Sequence, residues 1–292
     1  MDVSELVPAA LDYSLIRKGK GKAVLPGLSV YSVNRITDFE AFIYDPVICL
    51  ILQGSKQTTI GDQMVSLPAG HALVVSHDLP VRSKITEASA EKPYLALILS
   101  LDLGLIRGLY DLVGADVPIP TSSRSLSSGP SEGPLNDAMA RYLALRHAAL
   151  DAQVLGPSIM REIHFRLLMS PMGGMLANML SVNSHASRIA KAIARIRADY
   201  RKTIVIPALA ESVGMSASSF HGHFKDVTGA TPLQYQKDLR MIAARDLLRS
   251  GQHNVSSASY EVGYESPTHF SRDYQRKFGL SPSKEQSLLM PA

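Results

Sequence analysis

Residues 214–232 read GMSASSFHGHFKDVTGATP, and residues 263–282 read GYESPTHFSRDYQRKFGLSP. Phe220 and Phe270, Phe224 and Tyr274, Gly229 and Gly279, and Pro232 and Pro282 all keep an offset of 50. In the first copy Pro207 suits a first helical position, because it has no N–H to leave unpaired. Leu209, Ala210 and Val213 mark a short apolar face, and Gly214 stands where a left-handed residue ends a helix. Ser216 is a good cap for the next helix, which carries Phe220 and Phe224 on one side and closes at Gly229. Short helix, glycine-bearing turn, second helix is the helix-turn-helix pattern. The second copy repeats it with Val255, Ala258 and Val262, then Gly263, then Ser266 before Phe270 and Tyr274. Val213-Gly214 and Val262-Gly263 differ by 49 and the later pairs by 50, so the second turn is one residue longer. A duplication tolerates an insertion there, since both flanking helices survive it.

Between the copies, PLQYQKDLRMIAARDLLRSG places Leu233, Leu239, Ala243, Leu247 and Leu248 at helical spacing. A helix of that length, roughly 25 Å at ~1.5 Å per residue, sets two protruding helices about one DNA turn apart. A plain helical bundle in which the repeats merely pack is the alternative. Charge argues against it. Residues 186–292 carry 15 Lys and Arg against 9 Asp and Glu, whereas residues 1–185 carry 15 against 17. The positive potential therefore falls on the duplicated part.

The rest of the chain reads differently. LSVYSVNRI, VICLILQGSKQTTIG, HALVVSH and PYLALILSL, between residues 28 and 101, are short Val/Ile/Leu-rich runs separated by turn residues. They predict a small antiparallel barrel or sandwich. Helical patterns follow at 103–113, 134–150 and 157–181, the last interrupted near Pro171, with VPIPTSSRSLSSGPSEGP between them expected as loop. SVNSHAS at 181–187 reads as a polar connector. At 292 residues two domains are expected, 1–183 and 187–286, with helix-turn-helix units at 207–228 and 255–278. The fold class is α+β: a β-barrel with helices, then an all-α domain. With 46% apolar residues, no unbroken apolar run of membrane-spanning length and no basic-then-apolar leader, a cytoplasmic protein is expected.

The C-terminal residues resemble the AraC/XylS family of bacterial transcription regulators over about 187–286, in IPALAESVGMSASSFHGHFKDVTGATPLQYQKDLRMIAARDLL and VSSASYEVGYESPTHFSRDYQRKFGLSPSK. The resemblance implies two recognition helices in adjacent major-groove segments of a promoter. By position in the motif, the first would present Ala217, Ser218, His221 and Gly222. The second would present Thr268, His269 and Arg272, with Ser266 and Arg276 near the backbone. Lys225 and Arg240 fit phosphate anchoring or plain solvation. Arg272 can grip guanine O6 and N7 or, equally, a phosphate. This sequence departs from the family at Gly222, where a long polar side chain is usual, at Ala258-Ser259, and at Glu285-Gln286 after Pro282.

YDPVICLILQGSKQTTIGDQMVSLPAGHALVVSHDLPVRSKI and REIHFRLLMSPMGG are similar to the cupin-like N-terminal domain of one branch of the family. That implies a barrel sensing an unknown small-molecule effector, with helices that in relatives bind ligand or dimerise. Arg82, where a barrel histidine would fall, is the candidate effector contact, or else simply exposed. A homodimer surface on 134–181 is expected, with packing onto the barrel as the alternative. RNA polymerase is an expected further partner, and no membrane is expected as one.

A metal-dependent cupin enzyme with an incidental helical tail is the competing function. His71 and His77 lack the further ligands such a centre needs, and the lone Cys49 lies in an apolar run, so no catalytic residue, metal or cofactor is expected.

Overall fold

The computed structural model describes residues 1–18, 25–118, 124–181 and 184–289. By contacts the chain divides into Met1–Glu40 with Tyr44–Ser187, and Arg188–Ala292, with Ala41–Ile43 grouped with the latter. The expected boundary at residue 183 lies outside the described residues.

The first unit opens with α1 (Val7–Lys18), which a short 3-10 turn capped by Asp2 precedes. Eight strands follow: β1 (Leu28–Val33), β2 (Glu40–Tyr44), β3 (Val47–Gln53), β4 (Ser55–Ile60), β5 (Gln63–Pro68), β6 (His71–Val75), β7 (Leu79–Glu87) and β8 (Tyr94–Ser100). Then come α2 (Leu103–Val113), β9 (Leu126–Pro130), α3 (Gly133–Ala144), α4 (Ala149–Val154), α5 (Gly156–Met169) and α6 (Gly174–Leu180). The α+β expectation holds. The strands form two sheets, in orders β1-β8-β3-β6-β9 and β2-β7-β4-β5, rather than one closed barrel.

Strand β3 is buried on both faces from Val47 to Leu52, which explains its unbroken apolar run. Strand β7 instead alternates: Val81, Ser83 and Ile85 are buried while Arg82 is exposed. Its one-sided pattern marks a strand with one face to the core and one to water.

Two expectations change. Leu126–Pro130, read as loop, forms β9 through main-chain pairing with the β6 edge from His71↔Pro130 to Val75↔Leu126. Its Ser-rich sequence carries no strand signal, because the ladder uses only peptide groups. Within 134–181 part of the apolar surface weighed for a homodimer is packed inside the unit, while Leu150, Val154 and Leu155 stay exposed. Leu135, Ala138, Met139, Tyr142, Leu143, Ile163, Leu167 and Leu168 are all buried. The connector is also shorter, since helix begins at His185.

The second unit is all helical: α7 (His185–Ala198), α8 (Ile206–Ser212), α9 (Ala217–Thr228), α10 (Pro232–Arg249), α11 (Val255–Glu261), α12 (Pro267–Phe278) and α13 (Pro282–Leu289). Among the described residues, no helix is long and apolar enough to cross a membrane.

Candidate nucleic-acid interface

The sequence duplication is a duplication of hydrogen bonds. Gly214 N–H donates to Glu211 O at 2.9 Å and Gly263 N–H to Tyr260 O at 2.9 Å. One residue on, Met215 N–H reaches Ala210 O and Tyr264 N–H reaches Ser259 O, each at 3.0 Å. The hydroxyls of Ser216 and Ser266 then accept from the N–H groups of Ser219 and His269, capping α9 and α12. Both helices end on a left-handed glycine, Gly229 at φ 74° and Gly279 at φ 77°. The extra residue of the second turn lies between Gly263 and its cap, where it disturbs neither helix.

The two turns nevertheless differ in tolerance. A Cβ on Gly263, at φ +85°, would lie 2.0 Å from the carbonyl oxygen of Arg201. On Gly214, at φ +69°, it would meet nothing nearer than the Arg188 guanidinium at 3.9 Å. The second turn needs glycine for space as well as for dihedral; the first needs it for dihedral alone.

Each recognition helix is anchored on one side by aromatics. Phe220, Phe224, Phe270 and Tyr274 are fully buried. Phe224 meets Tyr235 of α10 edge-on at 5.5 Å, and Tyr274 lies tilted against Phe278, one turn on in the same helix, at 4.6 Å. Burying that face of each helix turns the opposite one outward. On α9, Ala217, Ser218, His221, Gly222 and Lys225 are exposed; on α12, Thr268, His269, Arg272 and Arg276 are exposed. The nine residues therefore fall on two outward stripes. At the offset of 50 Ser218 corresponds to Thr268 and Gly222 to Arg272. Arg272 has no ion-pair partner among the described residues, and neither has Lys225.

Ser266 is half-buried, its oxygen engaged as a cap. Arg240 departs from the expected pattern. Its Nε donates to Tyr200 O at 2.7 Å, and its Nη2 donates to Arg201 O at 2.9 Å and Lys202 O at 3.1 Å. Gln236 Nε2 joins the same cluster of carbonyls. Three of Arg240's five N–H groups thus close the turn that follows α7.

Sequence reasoning missed the charged clamp that sets α12 on α10. Lys237 pairs with Asp273 at 2.6 Å and Lys277 with Asp238 at 2.7 Å, so the two helices exchange charges in both directions. Asp273 also accepts from Tyr264 Oη at 2.9 Å and Arg276 Nη2 at 2.6 Å. Burial pushes the Asp273 carboxyl up, but those hydrogen bonds and the Lys237 and Arg276 charges outweigh it and hold it below its ordinary value.

Glu285, a departure from the family pattern, is buried. It accepts from Arg245 Nε at 2.6 Å, Arg249 Nε at 3.2 Å and Tyr274 Oη at 2.8 Å. Spacing gave no sign of this, because the partners are 40, 36 and 11 residues away. Two other family departures fit their surroundings without a clash. Ser259 is buried with its hydroxyl bonded to Ser256 O at 2.7 Å, and a Cβ at Gly222 would meet nothing within 4 Å.

The expected effector contact, Arg82, does not face the interior. It lies on the outer face of β7 with its guanidinium 5.2 Å from the Phe39 ring. Alternation explains this: Val81 and Ser83 take the inward positions beside it. Among the described residues, no group of three His, Cys, Asp or Glu side chains is placed to hold a metal.

Two family models match the chain. One, described as the AraC-type transcriptional regulator N-terminus, covers residues 24–175, over half of the chain. The protein belongs to the AraC-type transcriptional regulators. The other, a helix-turn-helix domain, covers residues 209–287 of this AraC-type regulator. The HTH-type transcriptional regulator AlkR of Acinetobacter baylyi is 27% identical over 255 residues, which span 78% of this chain and 80% of AlkR. The HTH-type transcriptional activator RhaS of Salmonella schwarzengrund is 31% identical over 104 residues, only 36% of this chain and 37% of RhaS. In fold, the regulator is similar to ToxT from Vibrio cholerae, with TM-score 0.56 at 14% identity over 90% of this chain and 98% of that one.

Proposed function

We propose that this regulator sets both recognition helices into adjacent major-groove segments of one promoter duplex, under control of a small molecule held by the N-terminal unit. The duplicated outward stripe carries the reading: two helices of identical capping each bury an aromatic face and present polar side chains opposite. Helix α10, with 18 residues at ~1.5 Å each, spaces the two copies by roughly 27 Å along its axis. With its turns, that suits the ~34 Å repeat of the major groove.

In this reading Thr268, His269 and Arg272 meet base edges in one segment, and Ala217, Ser218 and His221 meet them in the other, with Gly222 contributing no side chain. Lys225, Ser266 and Arg276 serve the phosphates. Arg240 is left out of the set, because most of its donors are committed to carbonyls. The effector role draws on the family of the N-terminal unit; a ToxT structure, 11% identical, has been solved with an unsaturated fatty acid bound. RNA polymerase is the further partner this role implies.

Selection of genomic fragments by the full-length protein tests the proposal. The expected result is a consensus of two adjacent half-sites about 10 bp apart, with affinity falling steeply as salt rises. Fragments sharing no motif would reject sequence-specific readout.

A further inference from the structure

The two helix-turn-helix copies are joined twice. Helix α10 is the spacer visible in the sequence. The segment from Arg188 to Lys202, which carries most of α7, ties the same two copies by another route. Near the start of α7, Arg188 Nη1 donates to the carbonyl of Gly214 at 2.8 Å. That carbonyl belongs to the first turn, two residues before the Ser216 cap of α9. Beyond the other end of α7 the chain enters the second copy, where the Tyr200 ring packs against the core cluster that includes Val262, Phe270 and Tyr274. Arg201 O approaches Gly263 of the second turn so closely that a Cβ there would meet it at 2.0 Å. The Arg201 guanidinium pairs with Glu261, the last residue of α11, at 2.8 Å.

The fastening at this end comes from α10. Arg240 donates to the carbonyls of Tyr200, Arg201 and Lys202, and Gln236 donates to those of Tyr200 and Lys202. The bonds from Arg240 carry its charge, which makes them stronger than neutral ones. Helix α7 itself spans 14 residues, roughly 21 Å at ~1.5 Å each. A single rod between two bodies fixes their separation but leaves them free to bend and twist about its ends. A second tie, anchored elsewhere on the same bodies, removes that freedom. Both ends of this tie lie on turns. Each turn leads into the N-terminal end of a recognition helix, where Ala217 and Ser218, or Thr268 and His269, are exposed.

We infer that α7 is a second spacer, and that Arg188 and Arg240 are positioning residues that make the protein selective for the distance between its two half-sites. Neither residue has to touch DNA for this. The inference rests on the DNA-binding reading proposed above and deepens it, by naming what sets the spacing.

One added base pair carries the outer half-site ~3.4 Å along and about 35° around the duplex. Affinity is measured on the selected consensus and on duplexes with one base pair added or removed between the half-sites. The wild type should lose on the order of 100-fold with either change, because a rigid frame cannot engage both half-sites at once. Arg188→Ala/Arg240→Met should bind the original spacing no more than about threefold more weakly. Its penalty for altered spacing should shrink about tenfold. Arg188→Lys, which keeps a donor for Gly214 O, should retain the wild-type penalty. Lys191→Ala, which removes an equal charge from the exposed face of α7, should retain it too.

A purely structural role weakens binding at every spacing alike, so an unchanged ratio between spacings in the double variant would overturn the inference. Relaxed spacing in Lys191→Ala would overturn it as well, by making charge the cause. Arg188 makes its bond at the surface, so Arg188→Ala alone should fold and show the same change at smaller size if Arg240→Met unfolds. A measurement without DNA uses spin labels at Asp226→Cys and Gln275→Cys, exposed on α9 and α12, with Cys49 buried. The distance distribution between the labels should be broader in Arg188→Ala than in the wild-type background, and equal widths would overturn the second spacer. Broadening with no DNA consensus rejects the regulator reading and leaves the spacer. A consensus with an unchanged spacing ratio and equal widths rejects the spacer alone.

Discussion

Gly222 occupies in α9 the place that Arg272 occupies in α12, so the two recognition helices differ most where their exposed stripes correspond. Glycine inside an exposed helix costs about 1 kcal/mol relative to alanine, and a Cβ here meets nothing within 4 Å. Gly222→Ala is therefore expected to raise stability by about 0.5–1 kcal/mol in urea unfolding; a loss of stability would show that the backbone needs glycine. Arg272 carries the opposite weight, because it is exposed and free of ion pairs among the described residues. Arg272→Ala should cost ~1–3 kcal/mol in binding to the selected site and relax preference at one or two base pairs. An equal loss on every sequence would make it a phosphate contact.

At the scale of elements, the two copies are held by different forces. Helix α9 leans on α10 through the Phe224–Tyr235 contact, whereas α12 is also clamped to it by Lys237–Asp273 and Lys277–Asp238. Helix α13 completes the second copy through Glu285, whose side chain is 6% exposed against 15% for Arg245. Removing one partner of a buried pair leaves the other charge uncompensated. Glu285→Ala should cost about 3 kcal/mol in denaturant unfolding. A loss under about 1 kcal/mol would mean that the network is not what secures α13. Sequence alone located α8, α9, α11 and α12, because caps, glycine stops and aromatic spacing are local signals. It missed the clamp because opposite charges 36 and 39 residues apart show no period.

Across the whole molecule, charge and protonation act beyond single contacts. Arg201, Lys202, Lys237, Arg245, Arg249, Arg276 and Lys277 are held in ion pairs. Lys191, Arg195, Lys225, Arg272 and Lys284 are exposed without one among the described residues. The basic surplus read from the sequence is thus only partly free to meet phosphates. In the N-terminal unit, burial pushes His77 down to about 4, against a weaker opposing interaction with the Ala186 backbone, and burial also lowers His164. Both rings are favoured as neutral in the fold. The His77 contribution is complete above about pH 6.5 and is lost as pH falls toward about 4. His77 alone should cost roughly 2 kcal/mol by pH 5. Unfolding of wild type and His77→Gln at pH 7 and 5 checks this: the wild type should lose more, and equal losses would remove His77 as the cause.

While the side chains presented by the recognition helices came from the family resemblance, the sequence by itself determined the duplicated helix-turn-helix units, their unequal turns and the β-rich character of residues 28–101. Each of these follows from spacing within a dozen residues, where capping and side-chain periodicity act. Only the tertiary structure decided that the strands form two sheets, that a Ser-rich segment pairs as β9, that Arg82 turns outward, and that Arg240 closes a turn. It also fastened the end of α7 to α10 and buried Glu285 among arginines. Those outcomes depend on which distant groups meet in a low-dielectric interior, and no local pattern encodes that meeting.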